Sequence, residues 1–195
     1  KKAGISTGGT ASKILEELEE SGFIEASVPY GKKHYDAIYR LVDEFTLFHL
    51  QWIKPLGKRS PGKGYWMSRL NSPKRKSWEG YAFENLCMKH IPQIKIALGI
   101  AAVETAEGPW RFAGDRKLGM KGAQIDLLID RKDDVINLCE MKFCNDKYII
   151  TGKYAAELRN KMEVFNQQTS NRKSIFLTMI TTFGTKENMY STELN

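Results

Sequence analysis

Three charged residues in two neighbouring apolar stretches have the types and spacing of a metal-assisted hydrolytic site. Asp126 lies in the stretch 124–129, and Glu140 and Lys142 lie in the stretch 135–143. Thirteen residues separate Asp126 from Glu140, and one residue separates Glu140 from Lys142. Two carboxylates are the hard oxygen ligands that Mg²⁺ accepts, and such an ion activates water towards a phosphodiester. The spacing therefore predicts a phosphodiesterase site in which Lys142 orients that water or stabilises developing charge.

The two stretches are predicted to be adjacent strands of an antiparallel pair. Alternation along a strand places Asp126 on the face opposite its apolar neighbours, and it places Glu140 and Lys142 together on one face. The polar residues 130–134 form the turn. A turn centred near position 132 sets position 126 opposite position 138, so position 140 lies one diagonal step away, roughly 7–8 Å between backbones. The alternative is a hairpin with merely solvated charges, which the apolar run 136–143 disfavours because unpaired buried charge is costly.

A third carboxylate, Glu84, lies at the edge of the apolar stripe of a helix predicted over residues 81–91. The residues expected to face inward along this helix are Phe83, Leu86, Cys87, His90 and Ile91. Strands are predicted near residues 110–112 and over 123–130, 135–143 and 174–181, and a helix over 154–165. The order of helix, three strands, helix and strand indicates an α/β domain with helices on a small mixed sheet.

Two short motifs in these strands resemble those of the PD-(D/E)XK nuclease superfamily. They are Ala-Gln-Ile-Asp over residues 123–126 and Cys-Glu-Met-Lys over residues 139–142, with Glu84 on the preceding helix. The wider pattern, which adds residues 39–45 and 78–84, resembles the C-terminal region of archaeal-type AAA ATPases. In those proteins a P-loop ATPase domain precedes a winged helix and then this nuclease-like domain.

The resemblance implies a restriction-endonuclease-like core of order α-β-β-β-α-β that uses Mg²⁺ or Mn²⁺. It implies that Asp126 and Glu140 are metal ligands, that Glu84 is an auxiliary acid and that Lys142 is the catalytic lysine. It also implies an ATPase domain elsewhere in the same full-length chain. The present sequence itself holds no GxxxxGK[ST] phosphate loop. The superfamily includes catalytically silent members. A silent domain with a winged-helix DNA-binding, regulatory or oligomerisation role is therefore the alternative.

Residues 1–55 are predicted to form a partial winged-helix domain. Thr10 is expected to cap a first helix, and two strands then flank a hairpin turn whose basic tip is Lys32 and Lys33. A further helix is predicted over residues 43–53. Helix followed by basic hairpin is typical of a winged helix, but too little sequence precedes it to supply the earlier helices of such a domain. We therefore expect the chain to be part of a longer protein.

Residues 56–77 are predicted to be a basic linker that leads to a second domain over residues 78–195. Between Lys54 and Trp78 lie eight basic residues and no acidic one, which accounts for the net charge of +7. Such a patch favours a polyanion by counterion release, so we expect nucleic acid, and DNA in particular, as the partner. The residues expected to contact phosphates are Lys32, Lys33, Lys74, Arg75 and Lys76. The alternative is a solvated linker.

Three basic residues on or just before the helix at 154–165, namely Lys153, Arg159 and Lys161, are expected either to approach a phosphate backbone or to lie on a solvated face. No apolar run approaches the roughly 20 residues of a membrane-spanning helix, and the first ten residues lack the apolar stretch of a signal peptide. The three cysteines form no CxxC pair, so we expect reduced thiols and a cytoplasmic location. DNA and RNA, endonuclease and exonuclease, and monomer and oligomer stay open.

Overall fold

The chain alternates helices and strands in an order that builds two sheets. The computed structural model describes residues 8–115 and 119–193. The N-terminal elements are α1 (Gly9–Glu20), β1 (Ile24–Ser27), β2 (Ile38–Leu41) and α2 (Glu44–Phe48), which continues as a π-helical turn (His49–Ile53). The later elements are α3 (Pro73–Lys89), α4 (Ile91–Ala97), β3 (Thr105–Phe112), β4 (Ala123–Arg131), β5 (Val135–Lys142), α5 (Gly152–Thr169) and β6 (Ser174–Thr181). The predicted α/β class is confirmed.

A four-stranded mixed sheet in the order β3-β4-β5-β6 organises the larger part of the chain. β3, β4 and β5 are antiparallel neighbours, and β6 is parallel to β5. Parallel neighbours need a crossover connection, and α5 supplies it between β5 and β6. A second sheet consists of the antiparallel pair β1 and β2. The larger sheet therefore pairs directly the two strands that carry Asp126, Glu140 and Lys142.

Apolar side chains cover both faces of the four-stranded sheet. On one face Phe165 of α5 belongs to a buried cluster with Leu128 and Leu138. On the other face Cys87 of α3 belongs to a buried cluster with Leu127. These residues are at most 6% exposed. The sheet is thus enclosed between two helical layers, and charged side chains on its central strands have apolar surroundings.

The starts of the two longest helices are determined by capping residues. The side chain of Ser72 accepts a hydrogen bond from the backbone N–H three residues later, and Pro73 occupies the first turn of α3. Thr151 caps α5 in the same way. Because α3 begins at Pro73, it starts inside the segment predicted as a linker over residues 56–77. The basic residues at positions 74–76 are therefore helical.

The N-terminal helix and hairpin form in the predicted order with shifted details. The N-cap position of α1 is Gly8, without a side-chain cap, so the prediction that Thr10 caps this helix is wrong. The strands β1 and β2 pair as an antiparallel hairpin, and a 3-10 turn (His34–Asp36) precedes β2. Lys32 and Lys33, at the hairpin tip, are exposed.

The buried face of α3 differs from the predicted one. Leu86 is 50% exposed and His90 is also exposed, although both were expected to face inward. Asn85 is buried instead, and its side-chain nitrogen donates to the carbonyl oxygen of Leu41 at 3.2 Å. The N-terminal hairpin therefore packs on α3 through a polar contact that hydrophobic periodicity does not reveal.

A β-bulge interrupts the pairing of β3 with β4 next to the predicted site. Two steps along β3, from Gly108 to Trp110, match three steps along β4, from Leu128 to Ile125. The additional residue falls around Asp126. Consequently Ile125 and Leu128 both pack on the α5 side of the sheet. The prediction of one unbroken alternation through β4 is therefore wrong, since bulges shift side chains from one face to the other.

The loop after β1 docks on the edge strand β3 at this bulge. Pro109 lies opposite the additional residue, where its missing N–H disrupts no regular ladder bond. Its carbonyl oxygen accepts a hydrogen bond from the backbone N–H of Tyr30 at 3.1 Å. The Tyr30 ring lies 5.8 Å from the ring of Phe165. A Cβ atom on Gly108 would lie 3.0 Å from the carbonyl oxygen of Val28, so the close approach favours glycine there.

No helix within the described ranges, 8–115 and 119–193, is long and apolar enough to cross a membrane. The three cysteines carry free thiols. Burial raises the pKa of Cys87 to about 11 and the pKa of Cys139 to about 12. These two thiols are protonated at neutral pH, which argues against a cysteine nucleophile at either position.

Candidate active site

Four charged residues meet at one end of the β4–β5 pair: Glu84, Asp126, Glu140 and Lys142. The Lys142 ammonium nitrogen lies 3.7 Å from Glu140 Oε2 and 4.0 Å from Asp126 Oδ2. Glu84 approaches from α3 and interacts electrostatically with Asp126 and with Glu140. The structure thus brings together the four residues that sequence reasoning selected.

The register of β4 and β5 differs from the predicted one by two residues. Leu128, rather than Asp126, pairs with Leu138. The pairing ends at Leu127 opposite Cys139, so Asp126 and Glu140 are each the next residue beyond the last paired position. The turn is therefore centred at position 133, not 132, and Asp134 within it adopts a left-handed conformation with φ of 63°. The two carboxylates therefore lie just past the paired part of β4 and β5, and the Lys142 ammonium lies within 4.0 Å of both.

Asp126 is oriented by the backbone of the neighbouring strand. Its Oδ2 accepts a hydrogen bond from the backbone N–H of Met141 at 3.0 Å. The side chain is 12% exposed. Asp126 lies at the β-bulge in the pairing of β3 with β4. Oδ2 of Asp126 is thus held by a backbone hydrogen bond.

Glu140 is the most deeply buried member of the site, at 1% exposure. The ammonium nitrogen of Lys161 lies 2.6 Å from each of its two carboxylate oxygens. The hydroxyl of Tyr154 donates to Oε2 at 3.2 Å. Burial and the charge of Asp126 raise the pKa of Glu140, while Lys161 and Lys142 act in the opposite direction. The lysines therefore compensate a buried negative charge that would otherwise be costly.

Helix α5 contributes two residues that enlarge the predicted set. Tyr154 and Lys161 are seven residues apart, so they lie two turns apart on one face of the helix. Burial and the charge of Glu140 raise the pKa of Tyr154, which therefore stays a proton donor at neutral pH. Lys161 had been expected either at a phosphate backbone or on a solvated face, and Tyr154 had not been selected. The sequence signal that could have identified both residues was their seven-residue spacing in a helix whose start is capped by Thr151.

Glu84 is also affected by the other carboxylates of the site. Burial and the charge of Asp126 raise the pKa of Glu84 as well. Arg40 of β2 and Lys142 act in the opposite direction on Glu84. Arg40 also donates to the side-chain oxygen of Asn85, the residue next to Glu84, at 3.4 Å. The N-terminal hairpin thus brings a positive charge close to the acidic cluster.

The two carboxylates of Asp126 and Glu140 are hard oxygen donors of the kind that Mg²⁺ accepts. Among residues 8–115 and 119–193, no group of three His, Cys, Asp or Glu side chains is arranged to hold a metal ion. An ion held by Asp126 and Glu140 alone would need water and substrate oxygens to complete its shell. Mg²⁺ is commonly held in this way, by one or two carboxylates. Glu140 would exchange contacts with Lys161 for contacts with the ion.

The residues predicted to contact nucleic acid differ in how available their charges are. Lys74 donates to the carbonyl oxygen of Gln51 at 3.1 Å, and its ammonium lies 4.9 Å from the ring centre of Trp52. Arg75 pairs with Glu79 at 2.7 Å and has a side chain only 13% exposed. Lys32, Lys33 and Lys76 are exposed, as is Lys74 despite its contacts, so Arg75 is the one of the five that is partly buried.

Arg75 also anchors an aromatic cluster that stabilises the basic segment. Its guanidinium lies 4.4 Å from the ring centre of Trp66. Trp66 packs edge-on against Trp52 and Trp78, with ring centres 5.2 and 6.0 Å away. These contacts join α3 to the π-helical turn after α2. The segment predicted as a linker is therefore partly packed, which limits how freely its charges can meet a ligand.

Comparison with known proteins adds no further identification. No family model matches the chain, and neither the curated proteins nor the solved structures contain a match.

Proposed function

We propose that this protein is a metal-dependent phosphodiesterase module that acts on DNA. The observation that carries the proposal is the meeting of Asp126 and Glu140 across adjacent strands, with the Lys142 ammonium within 4.0 Å of both carboxylates. The element order from α3 through β3, β4 and β5 to α5 and β6 supports a restriction-endonuclease-like core. Glu84, on the first helix of that core, is the auxiliary acid.

The proposed chemistry divides between a bound ion and the residues that surround it. Bound Mg²⁺ or Mn²⁺ would polarise the phosphate and lower the pKa of the attacking water. Asp126 and Glu140 would hold the ion, and the backbone N–H of Met141 keeps Asp126 turned towards β5. Lys142 orients the water or stabilises charge that develops on the phosphoryl oxygens. Tyr154 keeps Glu140 in position by donating a hydrogen bond to it.

The N-terminal part of the chain is proposed to be a partial winged helix that recruits DNA. Its support is the order of α1 followed by a hairpin with a basic, exposed tip. Lys32, Lys33 and Lys76 are the more available phosphate contacts, because Lys74 and Arg75 are engaged by protein groups. We further propose that the full-length chain carries an ATPase domain, on the basis of the sequence resemblance described above.

A cleavage assay with matched variants tests the proposed activity. Supercoiled plasmid, linear duplex and an RNA of equal length are incubated with the protein in Mg²⁺ or Mn²⁺, and with EDTA. Wild type is expected to cleave DNA only with metal, Glu140→Gln to lose both metal binding and cleavage, and Lys142→Met to retain metal binding but lose cleavage about 10²-fold or more. Asp133→Asn, in the turn at the far end of the β4–β5 pair, serves as the control. A wild type that binds metal but cleaves no nucleic acid would refute the proposal.

A catalytically silent module is the second candidate, and one contact favours it. Lys161 already places an ammonium 2.6 Å from both oxygens of Glu140, so the buried carboxylate has a cation without any metal. In that case the domain would serve DNA binding, regulation or oligomerisation. Calorimetric titration with Mn²⁺ separates the candidates, because the silent module should show no heat that depends on Asp126.

A further inference from the structure

A cleft opens directly beside the acidic cluster, between the beginning of β4 and one face of α5. Its volume is about 480 Å³. Small-ligand sites typically occupy roughly 300–1,000 Å³, so the cleft is large enough for a small ligand. The polar residues that line it are Lys121, Gln124, Lys153, Glu157, Asn160 and Lys161.

The lining of this cleft is suited to an anion. Lys121, Lys153 and Lys161 line the cleft together with one carboxylate, from Glu157. Because Lys161 is already paired with Glu140, Lys121 and Lys153 against Glu157 leave one net positive charge. The side-chain amides of Gln124 and Asn160 add hydrogen-bond donors. Lysine, asparagine and glutamine are among the side chains that contact phosphate oxygens in nucleic-acid complexes. The balance of charge and donors therefore fits a phosphate-bearing ligand.

Lys161 joins the cleft to the acidic cluster. Its side chain lines the cleft, while its ammonium contacts both carboxylate oxygens of Glu140. A ligand in the cleft would consequently lie next to the residues that are proposed to hydrolyse a phosphodiester. Lys121 lies two residues before β4, whereas Lys153 and Lys161 lie on α5.

The described lining of the cleft has no aromatic side chain on which a base could stack. Sequence-tolerant single-strand binding through bases relies on aromatic stacking. The wall residues between the polar groups are small, namely Gly122, Ala123 and Ala156. Contact with the ligand would therefore be made through phosphates.

We propose that this cleft is a subsite for the phosphodiester backbone of one nucleic-acid strand, bound without base recognition. Lys121 and Lys153 contact phosphates next to the one positioned at Asp126 and Glu140. This subsite rests on the proposed function for its substrate class, and it does not require that hydrolysis occur. Its occupation can be measured in EDTA, where no metal-dependent cleavage takes place.

Fluorescence anisotropy with labelled single strands of twelve nucleotides tests the subsite. The probes are one DNA sequence, the same sequence as RNA, and an abasic DNA of equal length. Lys121→Ala/Lys153→Ala is compared with wild type, and Lys132→Glu, in the turn at the far end of the β4–β5 pair, is the control with the same net charge change. All three probes should bind wild type within about twofold of one another, because backbone phosphates are common to them.

The double variant should bind at least about tenfold more weakly at low salt. The slope of log affinity against log salt concentration should become shallower by about 1.4, because each of the two lost phosphate contacts contributes about 0.7. Lys132→Glu should bind like wild type. Equal binding by the double variant, equal loss in Lys132→Glu, no binding by wild type, or much weaker binding of the abasic strand would each overturn the subsite. If binding follows expectation while no substrate is cleaved in Mg²⁺ or Mn²⁺, the hydrolytic function alone fails.

Discussion

Replacing Lys161 with methionine tests whether this lysine competes with metal for Glu140. The ammonium nitrogen lies 2.6 Å from both carboxylate oxygens, so an ion that uses those oxygens must displace it. Methionine retains much of the length and the apolar stem of lysine but removes the charge. We expect Lys161→Met to bind Mn²⁺ more tightly than wild type.

The size of the effect follows from the pair that metal must break. A hydrogen bond to a charged group contributes about 1.5–3 kcal/mol, and each 1.4 kcal/mol corresponds to a tenfold change in affinity. The Lys161 side chain is 23% exposed, so solvent screening favours the lower end of this range. The expected gain in metal affinity is therefore about tenfold.

Isothermal titration calorimetry with Mn²⁺ measures this gain. Lys153→Met, in the first turn of the same helix, is the matched control, because it removes a nearby ammonium without breaking the Glu140–Lys161 pair. Loss of Lys161 also favours the protonated form of Glu140, whose pKa burial already raises. The titration is repeated at higher pH, where release of that proton opposes metal binding less.

An unchanged or weaker affinity in Lys161→Met at both pH values would refute the competition. Lys161 would then be a residue that positions Glu140 for the metal and not one that is displaced by it. A wild type without measurable metal binding, combined with clear binding by the variant, would support the silent module, in which the lysine replaces the ion.

Three other substitutions have expected outcomes. Burial and the charge of Asp126 raise the pKa of Glu84 in the folded protein. Ionisation of Glu84 therefore destabilises the metal-free fold as the pH rises from the pKa of the unfolded chain through that of the folded one. Glu84→Gln should raise the Tm measured by circular dichroism at pH 7.5 but not at pH 4. Phe165→Ala removes a ring that is 0% exposed and should cost about 3–5 kcal/mol in urea unfolding. Arg75→Ala should lower Tm, whereas Lys76→Ala, at an exposed position, should leave Tm unchanged and flatten the salt dependence of DNA binding.

The larger sheet was predictable because its strands carry strong local signals. The strand predicted over residues 174–181 has the same bounds as β6, and β5 differs from its prediction by one residue. The beginning of α3 was not predicted, because the basic and turn-forming residues before Trp78 indicated a linker. Ser72 followed by Pro73 was a recognisable helix start. The inward turn of Asn85 depends on a contact with Leu41, which local periodicity cannot contain.

The composition of the candidate site was easier to predict than its geometry. Spacing and residue type selected Asp126, Glu140 and Lys142, since alternation on one strand and pairing with the next suffice to bring them close. The register was wrong by two residues because it depends on the conformation of Asp134 in the turn. Lys161 was considered for a different role, because its approach to Glu140 depends on how α5 crosses the sheet.

The bulge around Asp126 connects the aim of this carboxylate to the docking of the N-terminal loop. The additional residue in β4 lies opposite Pro109, and the same Pro109 supplies the carbonyl that accepts the bond from Tyr30. A residue with a backbone N–H at position 109 would present a hydrogen-bond donor at this edge of β3, whereas proline has none. A regular ladder would also restore the simple alternation of side chains between the two faces, which Ile125 breaks. The hydrogen bond from the backbone N–H of Met141 to Asp126 lies at the same irregularity as the docking edge. A regular pairing of β3 with β4 would alter both the hydrogen bond to Asp126 and the hydrogen bond from Tyr30 to Pro109.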